Sequence, residues 1–255
     1  MSGSRCGAGT DVAREVADIV LAGDDLDGII EAIRLGRTTY ANIRKVPRYL
    51  VSTNASETFV MLGAALFGGT APLTPMQLLW LNLASDPLPA LALGLDLPEP
   101  DVLDAPPHDP RAPILGAADF RRILREGAVL GTGALAGYLL AGGAAGAAHA
   151  RTIVFHGLTL SQIVHGLSCR SETHGIEANL LRAPNPTLLG AIAASGGLQL
   201  VGQVFPATRR LLGLSPIGFG GLFGIAAIVA GNTIANRLID YLARDEPGPR
   251  LSSTI

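Results

Sequence analysis

The chain has 255 residues, of which 48% are hydrophobic and 16% charged, and its mean hydropathy is +0.38. Soluble domains carry about a quarter charged residues, so this composition indicates a membrane protein. The formal net charge of −2 excludes a strongly basic surface, and neither zinc-finger spacing nor interleaved basic and aromatic residues occur. We therefore expect the protein to contact membrane lipid and not to bind nucleic acid.

The first 48 residues form a polar segment in which charged and aliphatic side chains alternate. The pattern predicts a helix running into a short strand over residues 13–21 and an amphipathic helix over residues 26–40. The segment is too small to be an independent domain. Residues 1–10 lack an apolar core, so we expect no signal peptide.

Six stretches are apolar and long enough to predict transmembrane helices, since a bilayer core of about 30 Å takes roughly 20 residues in a helix. They are residues 50–71, 73–95, 126–148, 150–168, 187–206 and 215–236. The last four stretches are rich in Gly and Ala, which allows close helix packing in lipid. Six prolines in residues 97–120 predict an extended loop there.

The distribution of Lys and Arg predicts the orientation in the membrane. Sixteen of the 19 Lys and Arg residues lie on the side of the termini, and only Arg151, Arg209 and Arg210 lie opposite. Because cytoplasmic loops carry the excess of both residues, we expect a multi-pass plasma-membrane protein with both termini cytoplasmic. The only cysteines, Cys6 and Cys169, indicate a reducing compartment and no disulfide framework.

Two predicted spans carry polar side chains at helical spacing. Asn54 and Glu57 lie three residues apart in the first span, and Asn82, Ser85 and Asp86 follow at i, i+3 and i+4 in the second. Each set shares one helix face. Carboxylate, amide and hydroxyl oxygens are the ligands of a hard cation that loses its water. Ionisable residues inside a membrane are functional candidates by default.

The two prolines that follow this second set favour the same hypothesis. Pro87 and Pro89 lack backbone donors, which leaves carbonyl oxygens free to face a cavity. The alternative is that the polar residues only hydrogen-bond between helices, with Glu57 and Asp86 protonated or paired with each other. Two carboxylates at this spacing make a cation site the preferred interpretation.

A further polar set lies in the fourth predicted span. Gln162, His165 and Cys169 follow at i, i+3 and i+7, and His156 lies nearly two turns earlier. Imidazole and thiolate can bind a softer metal. Packing near the cytoplasmic end is the preferred interpretation of these residues, and Gln162 is the one candidate ligand in this span.

An ordered series of segments resembles the calcium-pump-like branch of P-type cation-transporting ATPases. Residues 9–21 (GTDVAREVADIVL) are similar to the end of the phosphorylation domain of that family. Residues 49–57 (YLVSTNASE) and 73–86 (LTPMQLLWLNLASD) are similar to its fifth and sixth transmembrane helices. Residues 89–94 and 169–172 continue the resemblance, which covers essentially the whole chain.

The resemblance implies which residues bind the transported cation. Ser85 stands where a threonine is commoner, and Gln162 stands where two-site calcium pumps carry a glutamate. The positions that match cation-coordinating residues of the family are Asn54, Glu57, Asn82, Ser85 and Asp86, with Gln162 as a sixth candidate.

The resemblance also implies an organisation and an expected fold class, an all-α membrane protein with six transmembrane helices and a small N-terminal α/β remnant. That remnant and a linker helix would occupy residues 1–48. After it we expect an ion-site hairpin (49–96), a cytoplasmic Pro-rich loop (97–121), a four-helix membrane region (122–243) and a cytoplasmic tail (244–255).

The family's catalytic motifs do not occur in this sequence. Neither the Asp-Lys-Thr-Gly-Thr phosphorylation motif nor the Gly-Asp-Gly-x-Asn-Asp magnesium loop is present. Phosphoryl transfer needs an acceptor and charge stabilisation, so we expect no ATP hydrolysis by the isolated chain, with Mg and ATP acting only through missing domains.

The expected function is therefore the cation-binding and translocation portion of a P-type ATPase, with the remainder of the pump as partner. Two alternatives stay open. The chain could pair with an intact P-type ATPase and modulate it, or it could bind ions in the membrane alone. The oxygen ligands fit calcium, manganese, magnesium, sodium or potassium.

Overall fold

The computed structural model describes residues 4–5, 15, 19–20, 27–67, 70–104, 111–171 and 185–244. Strands β1 (Ser4–Arg5) and β2 (Ile19–Val20) pair in parallel. Strand β2 lies where the short strand was predicted, whereas most of the helix predicted before it falls outside the described residues. From residue 27 onward the secondary structure of the described residues is helical.

Eight α-helices and one π-helix lie in the part of the chain from residue 27 to residue 244 that the structure describes. In chain order they are α1 (Asp27–Leu66), α2 (Pro75–Trp80), a π-helix (Leu81–Ser85), α3 (Pro87–Gly94), α4 (Ala117–Ala145), α5 (Ala147–Cys169), α6 (Pro186–Val204), α7 (Pro206–Leu211) and α8 (Phe219–Arg244). Two of them, α6 and the Phe219–Leu242 part of α8, are long and apolar enough to cross a membrane by length and composition alone. Six spans remain a prediction.

Helix α1 is a single helix of 40 residues, about 60 Å long at 1.5 Å per residue. It includes both the predicted amphipathic helix 26–40 and most of the predicted span 50–71. The boundary expected between residues 48 and 49 therefore falls inside continuous helix. Pro47 removes one backbone donor without ending the helix, because buried side chains on both sides of it pack against the rest of the fold.

The second predicted span, 73–95, consists of three short helical pieces instead of one helix. Helix α2 begins with a capping box in which Thr74 and Gln77 exchange hydrogen bonds of 2.9 and 3.2 Å. The chain then widens into the π-helix, where the Asp86 amide donates to the Leu81 carbonyl at 2.9 Å. Pro87 starts α3 since it needs no backbone acceptor.

Helix α4 begins at Ala117, inside the stretch 97–120 predicted to be an extended loop. No proline follows Pro113 in this stretch, and the Asp119 carboxylate accepts a 2.8 Å hydrogen bond from the Gly116 amide. This contact caps the first turn, so the helix starts earlier than the proline pattern indicates.

Glycines allow α4 to lie directly on α1. A Cβ atom on Gly127 would lie 2.8 Å from the Ser52 carbonyl oxygen, and one on Gly131 would lie 2.7 Å from that of Ser56. Such spacing of small residues is the usual device for close helix contact in membranes. It fixes α4 against the stretch of α1 that carries Glu57.

The connections gather at two ends of the helix bundle. At one end the Arg151 side chain donates to the Ala71 carbonyl, and Gln77 donates to that of Leu212, each at 3.0 Å. These contacts join the α1–α2, α4–α5 and α7–α8 connections. We name this the loop end.

At the opposite end a buried carboxylate joins four segments. The Asp96 carboxylate accepts hydrogen bonds from Lys45 at 3.0 Å, from Arg170 at 3.2 Å and from Asn185 at 2.6 Å. Lys45 also lies 3.1 Å from Glu99. We name these five residues the Asp96 cluster. The cluster ties α1 to the segment after α3, to the end of α5 and to the start of α6.

Candidate cation site

The predicted site residues of the first two spans meet in the structure. The Asn82 side-chain amide donates to a Glu57 carboxylate oxygen at 2.8 Å. Glu57 is buried on α1, and Asn82 lies in the π-helix with its own helix contact to the Leu78 carbonyl at 3.0 Å. The π-helix thus places the Asn82 amide group next to the Glu57 carboxylate.

Gln162 joins the same group from α5. Its amide nitrogen lies 3.4 Å from the second Glu57 oxygen, 3.2 Å from the Ser56 hydroxyl and 3.3 Å from the Thr53 carbonyl. Gln162 is fully buried, and its Oε1 has no hydrogen-bond partner among the described residues. Residues more than 100 positions apart in sequence therefore surround one carboxylate.

Asp86 provides the second buried carboxylate. Its side chain is 1% exposed, and the Tyr49 hydroxyl donates to Oδ1 over a long 3.5 Å. Oδ2 makes no hydrogen bond of good geometry in the described part of the chain, although the Thr53 side chain lies close enough to interact with this carboxylate. A buried polar atom without a hydrogen-bond partner lowers the stability of the fold. A bound ligand is one physical explanation for such an atom.

Asn54 is the one predicted ligand that the structure leaves apart. Its side chain is exposed, and its amide nitrogen donates to the Leu50 carbonyl of the same helix at 2.7 Å. Asn82 is exposed as well, whereas Glu57 and Asp86 are buried. The group of site residues is therefore open on the side of the two asparagines and closed on the side of α5 and α6.

Sequence reasoning missed two contacts to Ser85 from α6. The Ser195 hydroxyl donates to the Ser85 carbonyl at 2.9 Å, and the Gln199 amide lies 3.4 Å from the Ser85 hydroxyl. A signal was present, because Ser195, Gln199 and Gln203 stand at i, i+4 and i+8 in a largely apolar span. It is the same spacing that singled out Asn82 and Asp86.

The arrangement offers a cation oxygen atoms from three helical segments. Free oxygens of Asp86 and Gln162 accompany the Glu57 carboxylate and the Ser85 hydroxyl inside the bundle. Calcium and similar hard cations bind six to eight such oxygens. These residues fit a cation that retains some water or receives further ligands from the open side.

His165 and Cys169 belong to a different, charged group. The His165 Nε2 atom lies 3.0 Å from the Ser52 hydroxyl, 3.3 Å from the Cys169 sulfur and 3.6 Å from Glu126. Arg48 donates to both Glu126 oxygens, at 2.6 and 3.1 Å.

A second guanidinium, that of Arg122, reaches Glu126 at 3.0 Å. Two guanidinium groups on one carboxylate disfavour a further cation there. Helix anchoring through a buried ion pair accounts for this group better than a soft-metal site. His156 lies elsewhere, 3.1 Å from Gln203.

Comparison with known proteins identifies the family. Residues 70–242 match the family model described as "Cation transporting ATPase, C-terminus". The chain belongs to this family. Its membership supports the P-type, cation-transport and membrane assignments made from the sequence, and the helical fold agrees with them.

Individual relatives are calcium-transporting ATPases by name. The chain is 36% identical over 225 residues to the "Calcium-transporting ATPase" of Bacillus subtilis (strain 168), which covers 86% of this chain and 25% of the relative. It is 35% identical over 191 residues to "Calcium-transporting ATPase 1" of Bacillus cereus, covering 66% of this chain and 21% of the relative. The chain thus spans about a quarter of the length of these relatives.

A third relative, from another organism, gives a similar match. The "Probable calcium-transporting ATPase" of Trypanosoma brucei brucei is 33% identical over 193 residues, covering 76% of this chain and 18% of the relative. The 86% coverage of the Bacillus subtilis match exceeds what residues 70–255 can supply, so that similarity extends into α1.

Proposed function

We propose that this chain is the cation-binding membrane portion of a P-type ATPase and that Glu57, Asn82, Ser85, Asp86 and Gln162 bind the transported cation, with Asn54 joining them from the open side of the site. The observation that carries the proposal is a pair of buried carboxylates, Glu57 and Asp86, close enough to interact electrostatically, with the Gln162 amide beside Glu57. One oxygen of Asp86 and one of Gln162 make no hydrogen bond of good geometry among the described residues. A purely structural hydrogen-bond network would satisfy those oxygens.

Calcium is the first cation to test. The three relatives are named calcium-transporting ATPases, and the proposed ligands are all oxygens, which calcium prefers. Sulfur and imidazole ligands, which favour softer metals, lie in the separate group around Arg48.

The remainder of a pump is the proposed partner. The site is open where Asn54 and Asn82 are exposed, and apolar side chains including Leu79 and Leu83 are exposed on the same segments. A further helix on this side would complete the ligand shell. ATP and Mg would act through domains supplied with that helix, in a multi-pass plasma-membrane assembly with six spans from this chain and cytoplasmic termini.

Cation binding by the purified chain in detergent micelles tests the proposal directly. Trp80 is the only tryptophan and immediately precedes the π-helix, so its fluorescence should report binding alongside radioactive calcium retention. We expect weak, saturable binding, with a dissociation constant of about 10⁻⁴ to 10⁻³ M, because the open side lacks ligands.

Two charge-neutralising variants and one control make the test specific. Asp86→Asn and Glu57→Gln should each weaken calcium binding by about tenfold or more, because each removes a charged ligand. Asp119→Asn, which neutralises a half-buried carboxylate paired with Arg44 at the start of α4, should bind as the native chain does. Equal binding by all three variants, or no saturable binding by the native chain, would contradict the proposal.

A further inference from the structure

Helix α6 contacts the ion-site segment through two buried polar side chains one turn apart. The Ser195 hydroxyl lies 2.9 Å from the Ser85 carbonyl oxygen, and the Gln199 amide nitrogen lies 3.4 Å from the Ser85 hydroxyl. Ser195 is fully buried and Gln199 is 3% exposed. Both contacts therefore reach one residue, from a helix outside the proposed ligand set.

The contact from Ser195 replaces a missing backbone hydrogen bond. In a regular helix the Ser85 carbonyl would accept from the amide of residue 89, but Pro89 has no N–H. Ser85 is fully buried, so its carbonyl would otherwise lack a donor. The Ser195 hydroxyl supplies that donor and holds the end of the π-helix against α6.

The contact from Gln199 orients the Ser85 hydroxyl. A serine hydroxyl has one proton and two lone pairs. When the Gln199 amide donates to the Ser85 oxygen, one lone pair is taken and the second stays available for a cation. The Gln199 Oε1 atom is buried and makes no hydrogen bond of good geometry within the described ranges, although the His156 side chain lies close enough to interact with this amide.

We propose that Ser195 and Gln199 are positioning residues of the cation site, which fix the segment 81–86 and set the hydroxyl of Ser85 for cation binding. This inference rests on the proposed function for its cation part. None of the predicted ligands lies on α6, so the proposal gives this helix a role in cation affinity that the predicted ligands do not include.

The α6 helix offers a matched control for this proposal. Gln203 lies one turn beyond Gln199, where it contacts His156 at 3.1 Å and donates to the Ser215 carbonyl at 3.0 Å. These partners lie outside the segment 81–86. Methionine has nearly the length of glutamine and makes no amide hydrogen bond, so Gln199→Met and Gln203→Met differ chiefly in which contact is lost.

Calcium affinity of the full chain, followed by Trp80 fluorescence and radioactive calcium retention, gives the first readout. Gln199→Met should weaken binding by about three- to tenfold, the usual effect of one hydrogen bond, and Gln203→Met should leave it unchanged. In the background of Ser85→Ala, Gln199→Met should have little further effect, because both act through one hydroxyl.

The outcomes separate positioning from general packing. Native affinity in Gln199→Met, equal weakening by Gln203→Met, or additive effects with Ser85→Ala would each overturn the proposal. The combination expected above supports it.

Backbone amide exchange without added cation gives a second readout that does not depend on cation binding. Ser195→Ala and Gln199→Met should speed hydrogen exchange in residues 81–93, whereas Gln203→Met should not, since only the first two release the π-helix from α6. If the native chain binds no calcium but exchange changes in this way, the proposed function fails and the structural coupling stands. Unchanged exchange in both variants overturns the coupling.

Discussion

Asp96 shows how one buried carboxylate organises a helix end. Its side chain is fully buried and accepts from Lys45, Arg170 and Asn185. Replacement by the isosteric amide, Asp96→Asn, leaves two buried cations with one fewer counter-charge. We expect the free energy of unfolding to fall by about 3 kcal/mol, as for other broken buried ion pairs, measured by denaturant titration in mixed micelles.

An exposed ion pair provides the control for Asp96. Glu31 and Arg34 form a bidentate pair on the surface of α1, with Glu31 side chain 61% exposed. The hydrogen bond from Arg34 lowers the pKa of Glu31, so the pair is charged at neutral pH. Glu31→Gln should leave the unfolding midpoint unchanged, because solvent screens such pairs. If Asp96→Asn and Glu31→Gln lowered the stability equally, burial of the Asp96 carboxylate would not be the cause of its effect.

Gln162 offers a test of charge at the proposed cation site. Gln162→Glu would set a third carboxylate about as close to Glu57 as the present 3.4 Å contact. Since divalent cations bind more tightly as ligand charge increases, we expect calcium to raise the thermal unfolding midpoint more in this variant than in the native chain. Gln162→Met should show a smaller calcium shift than either. Identical shifts in all three proteins would place Gln162 outside the site.

The sequence predicts individual site residues better than it predicts their partners. Helical spacing alone groups Asn82 with Asp86, because polar side chains in apolar spans are few. The contact of Gln162 with Glu57 joins residues 105 positions apart, and only the packing of α5 on α1 creates it. Asp96 gives no comparable signal, since it lies among other charged residues after α3 and its partners come from three distant segments.

At the scale of elements, the contact between α4 and α1 depends on two glycines. Gly131→Ala would bring a methyl group within 2.7 Å of the Ser56 carbonyl, which belongs to helix backbone and cannot turn aside. We expect a loss of about 1–3 kcal/mol in the free energy of unfolding, the usual cost of overpacking, measured by the same titration. Calcium binding should weaken too, because Ser56 adjoins Glu57.

Gly142 of the same helix supplies the control. A Cβ atom there would meet nothing within 4 Å, so Gly142→Ala should be neutral or slightly stabilising, because alanine favours helix. If Gly131→Ala were as neutral or stabilising as Gly142→Ala, helix propensity, and not the α1 contact, would govern both positions.

Element boundaries follow the sequence where prolines and glycines act locally and depart from it where tertiary contacts act. The prolines at 87 and 89 mark the break in the second predicted span, and the break occurs there. Nothing local in the sequence predicts that the helix continues through residue 48. Lys45 and Arg48 are charged, so the sequence predicts that the membrane span begins only after them. Their buried ion pairs with Asp96 and Glu126 let the helix continue.

At the scale of the whole molecule, the number of membrane crossings follows from how helices alternate between the two ends. The α4–α5 connection is the single residue Gly146, with a φ of +83° that favours glycine, so the two helices form a tight hairpin. Its turn lies at the loop end with the α1–α2 connection. Among the described residues, α6 and the Phe219–Leu242 part of α8 are the helices that length and composition alone select as membrane spans.

Cysteine labelling distinguishes six crossings from two. Ala112, Ala147 and Ala207 are exposed alanines in or beside three different connections between helices. Each would be replaced by cysteine in a Cys6→Ser background, which leaves only the buried Cys169. Six crossings set the cysteines at 147 and 207 on the outer side, so a membrane-impermeant maleimide should label both in intact cells. The cysteine at 112 should react only after permeabilisation.

The position between α4 and α5 decides the test. If only α6 and α8 cross the membrane, Ala147→Cys should behave as Ala112→Cys does, and Ala207→Cys alone should react from outside. The charge distribution favours the first result, because a lone Arg151 near that connection contrasts with Arg121, Arg122 and Arg125 at the start of α4. Protection of Ala147→Cys in intact cells would therefore refute the six-span topology while leaving the contacts between the helices unchanged.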